Sequence, residues 1–310
     1  GCSAGRRPVT GMDQRGRRTP TALALKAPAK VNLTLEVVGR RPDGHHDIRS
    51  VVLLLPHLAD TVRVEVGSGR TDIRIRTNSP DIPVDETNIC HRAASRYLAH
   101  ADETAQVTID LAKSIPVAAG LGGGSSDAAA VLVALNRHFG QRIAPRTLAD
   151  IGADIGKDVP LFLGGAKASF VRGMGERVRD IGALPRLHVL VVNPRIAIST
   201  KDAYDALQRT LWFMDAATRV DRSRRMLRAL ETSDTQVVAA ALYNDFEVVA
   251  DRAHPVLKEI RQALLAFGAL GALMSGSGST VFALFASPGA LRVAQAALRQ
   301  RYPAYFIERG

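Results

Sequence analysis

The sequence predicts an α+β protein of two domains, and three observations carry that reading. The chain has 310 residues of which 46% are hydrophobic, enough to bury more than a single small core. Residues 21–184 read mainly as strands joined by a few helices, with period-2 alternation recurring along the first third of the chain. Residues 185–310 instead alternate strand and helix, so a division near residue 184 is expected. Residues 1–20 are Gly-, Pro- and Thr-rich and carry Arg6, Arg7, Arg15, Arg17 and Arg18 without an apolar pattern; a disordered basic leader is expected there, with Met12 a candidate start.

Each element has a local reason. "LALKAPAKVNLTLEVVG" alternates around Pro28, which predicts two short strands with a bend, and "RRPDGHHD" is a turn because Pro42 fixes φ and Asp43-Gly44 favours a tight reversal. "DIRSVVLLL", "DTVRVEVG" and "TDIRIRT" predict further strands, and "DETNICHRAASRYLAH" sets Ile89, Ala93, Ala94 and Tyr97 at helical spacing. "AQVTIDLAKSIP" is a strand leading into a glycine-rich loop, after which residues 125–138 form a helix with Gly140 as its stop. "APRTLADIGADIG" predicts a helix, "KDVPLFLGG" a loop and strand, and "AKASFVRGMGERVRDI" a hairpin. Beyond residue 184, "LHVLVVNP" is a strand and "TKDAYDALQ" a helix. A basic helical region then runs to about Leu230, and "DTQVVAAALYNDFEVVA" and "PVLKEIRQALLAFG" are helices. "ALMSGSGSTVFALF" is a strand pair, and a last helix and strand close the chain.

Composition narrows the function. A net charge of +11 suits an acidic ligand, a membrane surface or nucleic acid. The longest apolar runs, such as "VVLLL" at 51–55, are far too short to span a bilayer, so no membrane partner and a cytoplasmic location are expected. Aromatic residues are only 5% of the chain and the arginine run "RVDRSRRMLRAL" at 219–230 has no interleaved stacking residue, which argues for a solvated helix face over a nucleic-acid platform. Cys2 and Cys90 are the only cysteines, too few for a disulfide framework or a cysteine-rich metal site.

The chemistry concentrates at "PVAAGLGGGSSDAAAVL", residues 116–132. Glycines let backbone N–H groups approach an anion closely, and a helix that starts at once adds the positive end of its dipole. The loop is therefore a phosphate cradle, of neither of two common kinds. No lysine follows Lys113 before residue 139, as a Walker A loop requires, and Ser125 stands where a dinucleotide fingerprint has its third glycine.

This stretch is similar to the P-x-x-x-G-L-G-x-S-S signature of the GHMP small-molecule kinases. The resemblance continues through "APAKVNLTLEV" at 27–37, "RRPDGHHDI" at 40–48, "GKDVPLFLGGAKASFVRGMGERV" at 156–178 and "MSGSGSTVFALF" at 274–285, in the family's order. It implies a ribosomal-protein S5 domain 2-like N-terminal domain, a ferredoxin-like C-terminal domain and an active site between them. It further implies ATP with Mg2+ as cofactors. The branch of the family it most resembles phosphorylates the 2-hydroxyl of a methylerythritol that carries a cytidine diphosphate, on the non-mevalonate route to isoprenoid precursors. A GHMP kinase for another alcohol, of homoserine, mevalonate or sugar type, is the alternative, and a basic nucleic-acid-binding protein the rival from another class.

The resemblance makes Asp158 the catalytic base and Lys30 the catalytic lysine; on their own residues, Asp158 is a turn aspartate and Lys30 an edge-strand charge. Pro116, Ala118, Gly120, Leu121, Gly122, Gly123, Gly124, Ser125 and Ser126 are expected at the nucleotide, Ser126 reaching phosphate or magnesium. Asp127 reads as a charge favoured by the helix dipole. Asn88 and Lys113 match positions near the adenine and could equally be surface polar residues. Substrate contacts are expected from Asn32, His45, His46, Tyr204, Gly276, Ser277 and Gly278. His45 stands where the branch has a tyrosine, so cytidine recognition is the point of departure, and both histidines also fit a solvated turn. The closing glycines equally fit a hairpin with positive φ. No metal ligands are assigned.

Overall fold

The structure, a computed structural model, describes residues 21–182, 184–211 and 221–310; the expected leader at 1–20 and part of the basic stretch before Leu230 lie outside these residues. β1 (Thr21–Arg40) and β2 (His46–Gly67) form one long antiparallel hairpin. Its turn is the predicted one, with Gly44 at φ +87° and the Arg41 amide donating to the His45 carbonyl at 2.7 Å. The sequence predicts a break at Pro28, but the strand continues. The register slips between Pro28 and Ala29, opposite Pro56, so a bulge accommodates two residues that lack an N–H to donate.

Because β2 is so long, its two ends find different partners. Residues 61–67 pair with β4 (Gln106–Ala112), which also holds β3 (Asp72–Thr77) in parallel, and residues 48–53 pair with β5 (Ala168–Gly173), itself paired with β6 (Arg177–Asp180). α1 (Ile89–Ala101), α2 (Gly123–His138) and α3 (Pro145–Ile155) cover the first end, burying Tyr97, Leu132 and Leu135 against Val62, Val64 and Ile109. "KDVPLFLGG" is not a loop and strand: Val159–Leu163 form the short helix α4, whose second residue, Pro160, supplies a φ suited to a first turn.

The second sheet is built from β7 (His188–Asn193), β9 (Gly271–Met274), β10 (Val281–Phe285) and β11 (Phe306–Arg309), in the order β11-β7-β10-β9 and antiparallel throughout. α5 (Thr200–Leu211), α9 (Pro255–Ala266) and α10 (Pro288–Arg301) pack on one face through Leu207, Leu257, Ile260 and Leu298. The other face meets the first sheet: Val31, Leu33, Val51 and Leu53 share a core with Val191, Leu273, Phe282 and Leu284.

One segment departs from its predicted helix. "DTQVVAAALYNDFEVVA" folds as α7 (Thr235–Ala240), the two-residue strand β8 (Tyr243–Asn244) and α8 (Glu247–Ala253), following α6 (Arg222–Glu231). β8 lies parallel to β1 at Thr34 and Leu35, and the Asp245 carboxylate accepts from the Val37 amide at 2.7 Å, so local polar groups and a free strand edge outweigh helical propensity. No helix among the described residues is long and apolar enough to cross a membrane.

Candidate active site

Lys30 and Asn32 are two residues apart on β1 and so share a face, and both are buried, at 6% and 5% exposure. Lys30 Nζ donates to Asn32 Oδ1 at 2.7 Å, and Asn32 Nδ2 donates to Ser50 Oγ at 2.8 Å, which fixes the orientation of the amide. Burial pulls the Lys30 ammonium below its ordinary pKa, while the Asp158 carboxylate acts in the opposite direction. Asp158 stands immediately before α4, half-buried, and makes no capping hydrogen bond with its side chain.

The glycine loop is tied to this strand by the Lys30 amide, which donates to the Leu121 carbonyl at 2.9 Å. Close approach explains two of the glycines. A Cβ on Gly120, at φ +75°, would lie 2.4 Å from the Ser275 carbonyl oxygen, and one on Gly122, at φ +71°, would lie 2.9 Å from the Phe162 ring and 3.0 Å from Lys30 Cγ. α2 starts at Gly123, two residues before the predicted start, and Gly122 offers no side-chain cap, so the first amides of the helix are left for a ligand.

Two cavities meet at this loop. One, of about 360 Å³, is bordered by Asn88, Lys113, Pro116, Ala118 and Gly120–Gly124 apart from Leu121, with Ser125. The other, of about 710 Å³, is bordered by Lys30, Asn32, His45, His46, Asp158, Tyr204, Gly276 and Ser277. Gly120, Gly122 and Ser125 border both.

Several predicted residues serve the site differently from expectation. The Leu121 side chain is in the core. Ser126 is 1% exposed, its hydroxyl has no hydrogen-bond partner among the described residues, and it borders neither cavity. Asp127 is not a dipole charge near solvent: it is the fifth residue of α2, is buried and bonds Lys113 Nζ. Lys113 is thereby held between Asp127 and Asp60, so its ammonium shapes the wall of the cavity. Asn88 caps α1 by accepting from the Cys90 amide at 2.8 Å and donates to the Pro83 carbonyl at 2.6 Å. Gly278 borders neither cavity; at φ +97° its amide closes a turn onto the Ser275 carbonyl at 3.0 Å.

At the far end of the larger cavity the rings of His46 and Tyr204 stack, 4.7 Å apart and 17° from parallel, and Phe246 packs edge-on against Tyr204 at 4.8 Å. The Tyr204 hydroxyl is pushed up to about 12 by burial and then by the Asp158 charge, and His46 is pulled down by burial and by Arg40. His45 stands exposed beside this wall, its Nδ1 3.3 Å from Asp43 Oδ1.

Sequence reasoning missed Ser275, Asn244 and Asp60. Ser275 bonds the Gly120 carbonyl at 3.0 Å, and Asn244 Nδ2 holds the Met274 and Gly276 carbonyls at 2.7 and 2.8 Å. The polar pair Asn244-Asp245 inside an apolar run is a signal that could have marked that segment, whose pattern otherwise reads only as helix.

Comparison with known proteins bears directly on this arrangement. Residues 88–166 match the GHMP kinases N terminal domain and residues 226–304 the GHMP kinases C terminal domain. The 4-diphosphocytidyl-2-C-methyl-D-erythritol kinase of Geobacter metallireducens is 42% identical over 267 residues, covering 86% of this chain and 90% of that protein. This chain belongs to the 4-diphosphocytidyl-2-C-methyl-D-erythritol kinase family of the GHMP kinases. The family member of Heliobacterium modesticaldum is 41% identical, with 90% of this chain and 91% of that protein covered. The crystal structure of a 4-(cytidine 5'-diphospho)-2C-methyl-D-erythritol kinase matches with a TM-score of 0.76 at 36% identity, over 93% of this chain and 98% of that one. Homoserine kinase from Cytophaga hutchinsonii matches with a TM-score of 0.76 at 21% identity, over 93% and 94%. Fold alone therefore does not separate the substrates of the superfamily.

Proposed function

We propose that the protein is a small-molecule kinase that transfers the γ-phosphoryl group of ATP to the 2-hydroxyl of 4-diphosphocytidyl-2-C-methyl-D-erythritol, giving the 2-phosphate and ADP. The observation that carries this reading is the junction of the two cavities at Gly120, Gly122 and Ser125, with Lys30 and Asp158 bordering the acceptor side of the same loop. Phosphoryl transfer asks a protein mainly for positioning and charge neutralisation. The loop amides and the start of α2 would hold the nucleotide phosphates in the smaller cavity. Lys30, with Asn32 taking one of its three donors, would neutralise charge on the group in transit. Asp158 would accept the proton of the attacking hydroxyl, the phosphorus–oxygen bond to the new ester would form, and ADP would leave.

Magnesium would sit with the phosphates, since this small hard cation keeps water and phosphate oxygens as most of its ligands and needs one or two carboxylates. Among the described residues no group of three or more His, Cys, Asp or Glu side chains is placed to hold a metal ion, so phosphate oxygens and water would supply most of its ligands. The wall of His46, Tyr204 and Phe246 supplies an apolar flat surface of the kind a pyrimidine stacks on, and exposed His45 is positioned at its margin. A coupled ADP-release assay against 4-diphosphocytidyl-2-C-methyl-D-erythritol, homoserine, mevalonate and galactose tests the assignment. Turnover with the first alone is expected, together with a thermal shift on adding cytidine nucleotides; turnover with another alcohol, and no response to cytidine, would overturn it.

A further inference from the structure

Asp60 belongs to neither cavity, yet it contacts three consecutive residues of the link that enters the glycine loop. It is fully buried on β2. Oδ1 accepts from the amides of Ser114 at 2.5 Å and Ile115 at 2.8 Å, and Oδ2 accepts from Lys113 Nζ. Lys113 Nζ in turn bonds Asp127 on α2, and its backbone is held from the other side by Asn78, which accepts from its amide at 2.8 Å and donates to its carbonyl at 3.3 Å. One carboxylate on β2 thus fastens the exit of β4, the segment before Pro116 and, through Lys113, the helix that follows the loop.

The fit is close. A Cβ on Gly123 would lie 3.1 Å from Ile115 Cγ2 and 3.4 Å from Asp60 Oδ2, so the first residue of α2 lies directly over this junction. A charge is suited to the task because ionised acceptors bind backbone amides more strongly than neutral ones, and a buried carboxylate so engaged is costly to displace.

We propose that Asp60 is a positioning residue for nucleotide binding, holding residues 113–115 and α2 so that the glycine-loop amides stand where ATP phosphates meet them. This rests on the loop being the nucleotide site. Asp60→Asn keeps an oxygen for the two amides but turns a donor toward the Lys113 ammonium, whereas Asp60→Ala removes both connections.

The experiment is calorimetric titration of ATP into wild-type, D60N and D60A enzyme, with steady-state KM for ATP and for the alcohol measured alongside thermal unfolding. D60N is expected to weaken ATP binding about tenfold and D60A more, while kcat at saturating ATP and KM for the alcohol stay within about twofold of wild type. If D60A does not fold, D60N decides. ATP affinity in D60N equal to wild type would overturn the proposal. So would ATP affinity and alcohol KM worsening together in step with lost thermal stability, the mark of general loosening. Wild-type enzyme that turns over but binds ATP elsewhere, unaffected by changes in the glycine loop, would remove the underlying reading and the proposal with it.

Discussion

Ser275 donates its hydroxyl to the Gly120 carbonyl oxygen 3.0 Å away, fastening the turn between β9 and β10 to the glycine loop ahead of α2. The two loops come from the two different sheets, and Asn244 on β8 holds the neighbouring carbonyls of Met274 and Gly276. At Gly120 the two loops also meet main chain to main chain, since a Cβ there would lie 2.4 Å from the Ser275 carbonyl oxygen.

Gly120→Ala should accordingly fail twice over. Its Cβ would meet a main-chain oxygen at 2.4 Å, and φ at +75° strains any L side chain. A loss of about 2 kcal/mol or more in unfolding free energy is expected, with turnover lost. Gly124→Ala is the control: its Cβ would meet only Ile89 Cγ2 at 3.7 Å, and denaturant titration should find its stability near wild type.

Tyr204→Leu removes one ring of the stacked pair while leaving the glycine loop untouched. The KM for the cytidine-bearing alcohol should rise about tenfold with KM for ATP unchanged. Tyr204→Phe should behave as wild type, because a hydroxyl pushed up to about 12 stays neutral at working pH and the ring is what contacts His46. Equal effects on both substrates in steady-state kinetics would contradict the assignment.

Asp158→Ala should lower kcat by about 10²- to 10⁴-fold while calorimetric ATP binding is retained. Lys30→Met should also lower kcat, by about 10² or more, without lowering the melting temperature, since burial already disfavours the ammonium it removes. The linkage gives a second check. Lys30 titrates in the folded protein below its unfolded value of 10.5, so the folded state binds fewer protons in that interval and wild-type stability relative to K30M should rise as pH climbs toward 10.5.

Asp127 makes the opposite pH prediction. Burial pushes it up from 3.8 to about 7, with Lys113 opposing and Asp60 adding to the shift, since one ammonium cannot neutralise two carboxylates. Between those values the folded state holds more protons than the unfolded chain, so stability falls as pH rises through the interval and levels off above it. The unfolding free energy of wild type minus that of Asp127→Asn should decline from about pH 4 to about pH 7 and change little above it. A difference that grows over that range would refute the shift.

The legible part of this protein was what short-range pattern encodes. The alternation of Val107, Ile109 and Leu111 gave β4, the glycine run gave the start of α2, and motif similarity led to Lys30, Asp158, His46 and Tyr204, all of which border one cavity. What failed depended on distant partners. Pro28 reads as a break until a bulge opposite Pro56 is available to accommodate it. Ser126 looks like a phosphate ligand until the packing of α2 turns it inward, and Lys113 looks free until Asp60 and Asp127 are folded around it. Asp60 itself, in "HLADTV", carries no local sign of its role, because its partners lie more than fifty residues away.

The pairing of β8 with β1 also sets an order of events during synthesis. Thr34 and Leu35, a few residues past Lys30, acquire their parallel neighbour only once Tyr243 and Asn244 have left the ribosome. Until then the nascent chain carries Lys30 on a strand with an open edge. The larger cavity, which Lys30 borders together with Phe246, Gly276 and Ser277, is thus closed only when most of the polypeptide has been made.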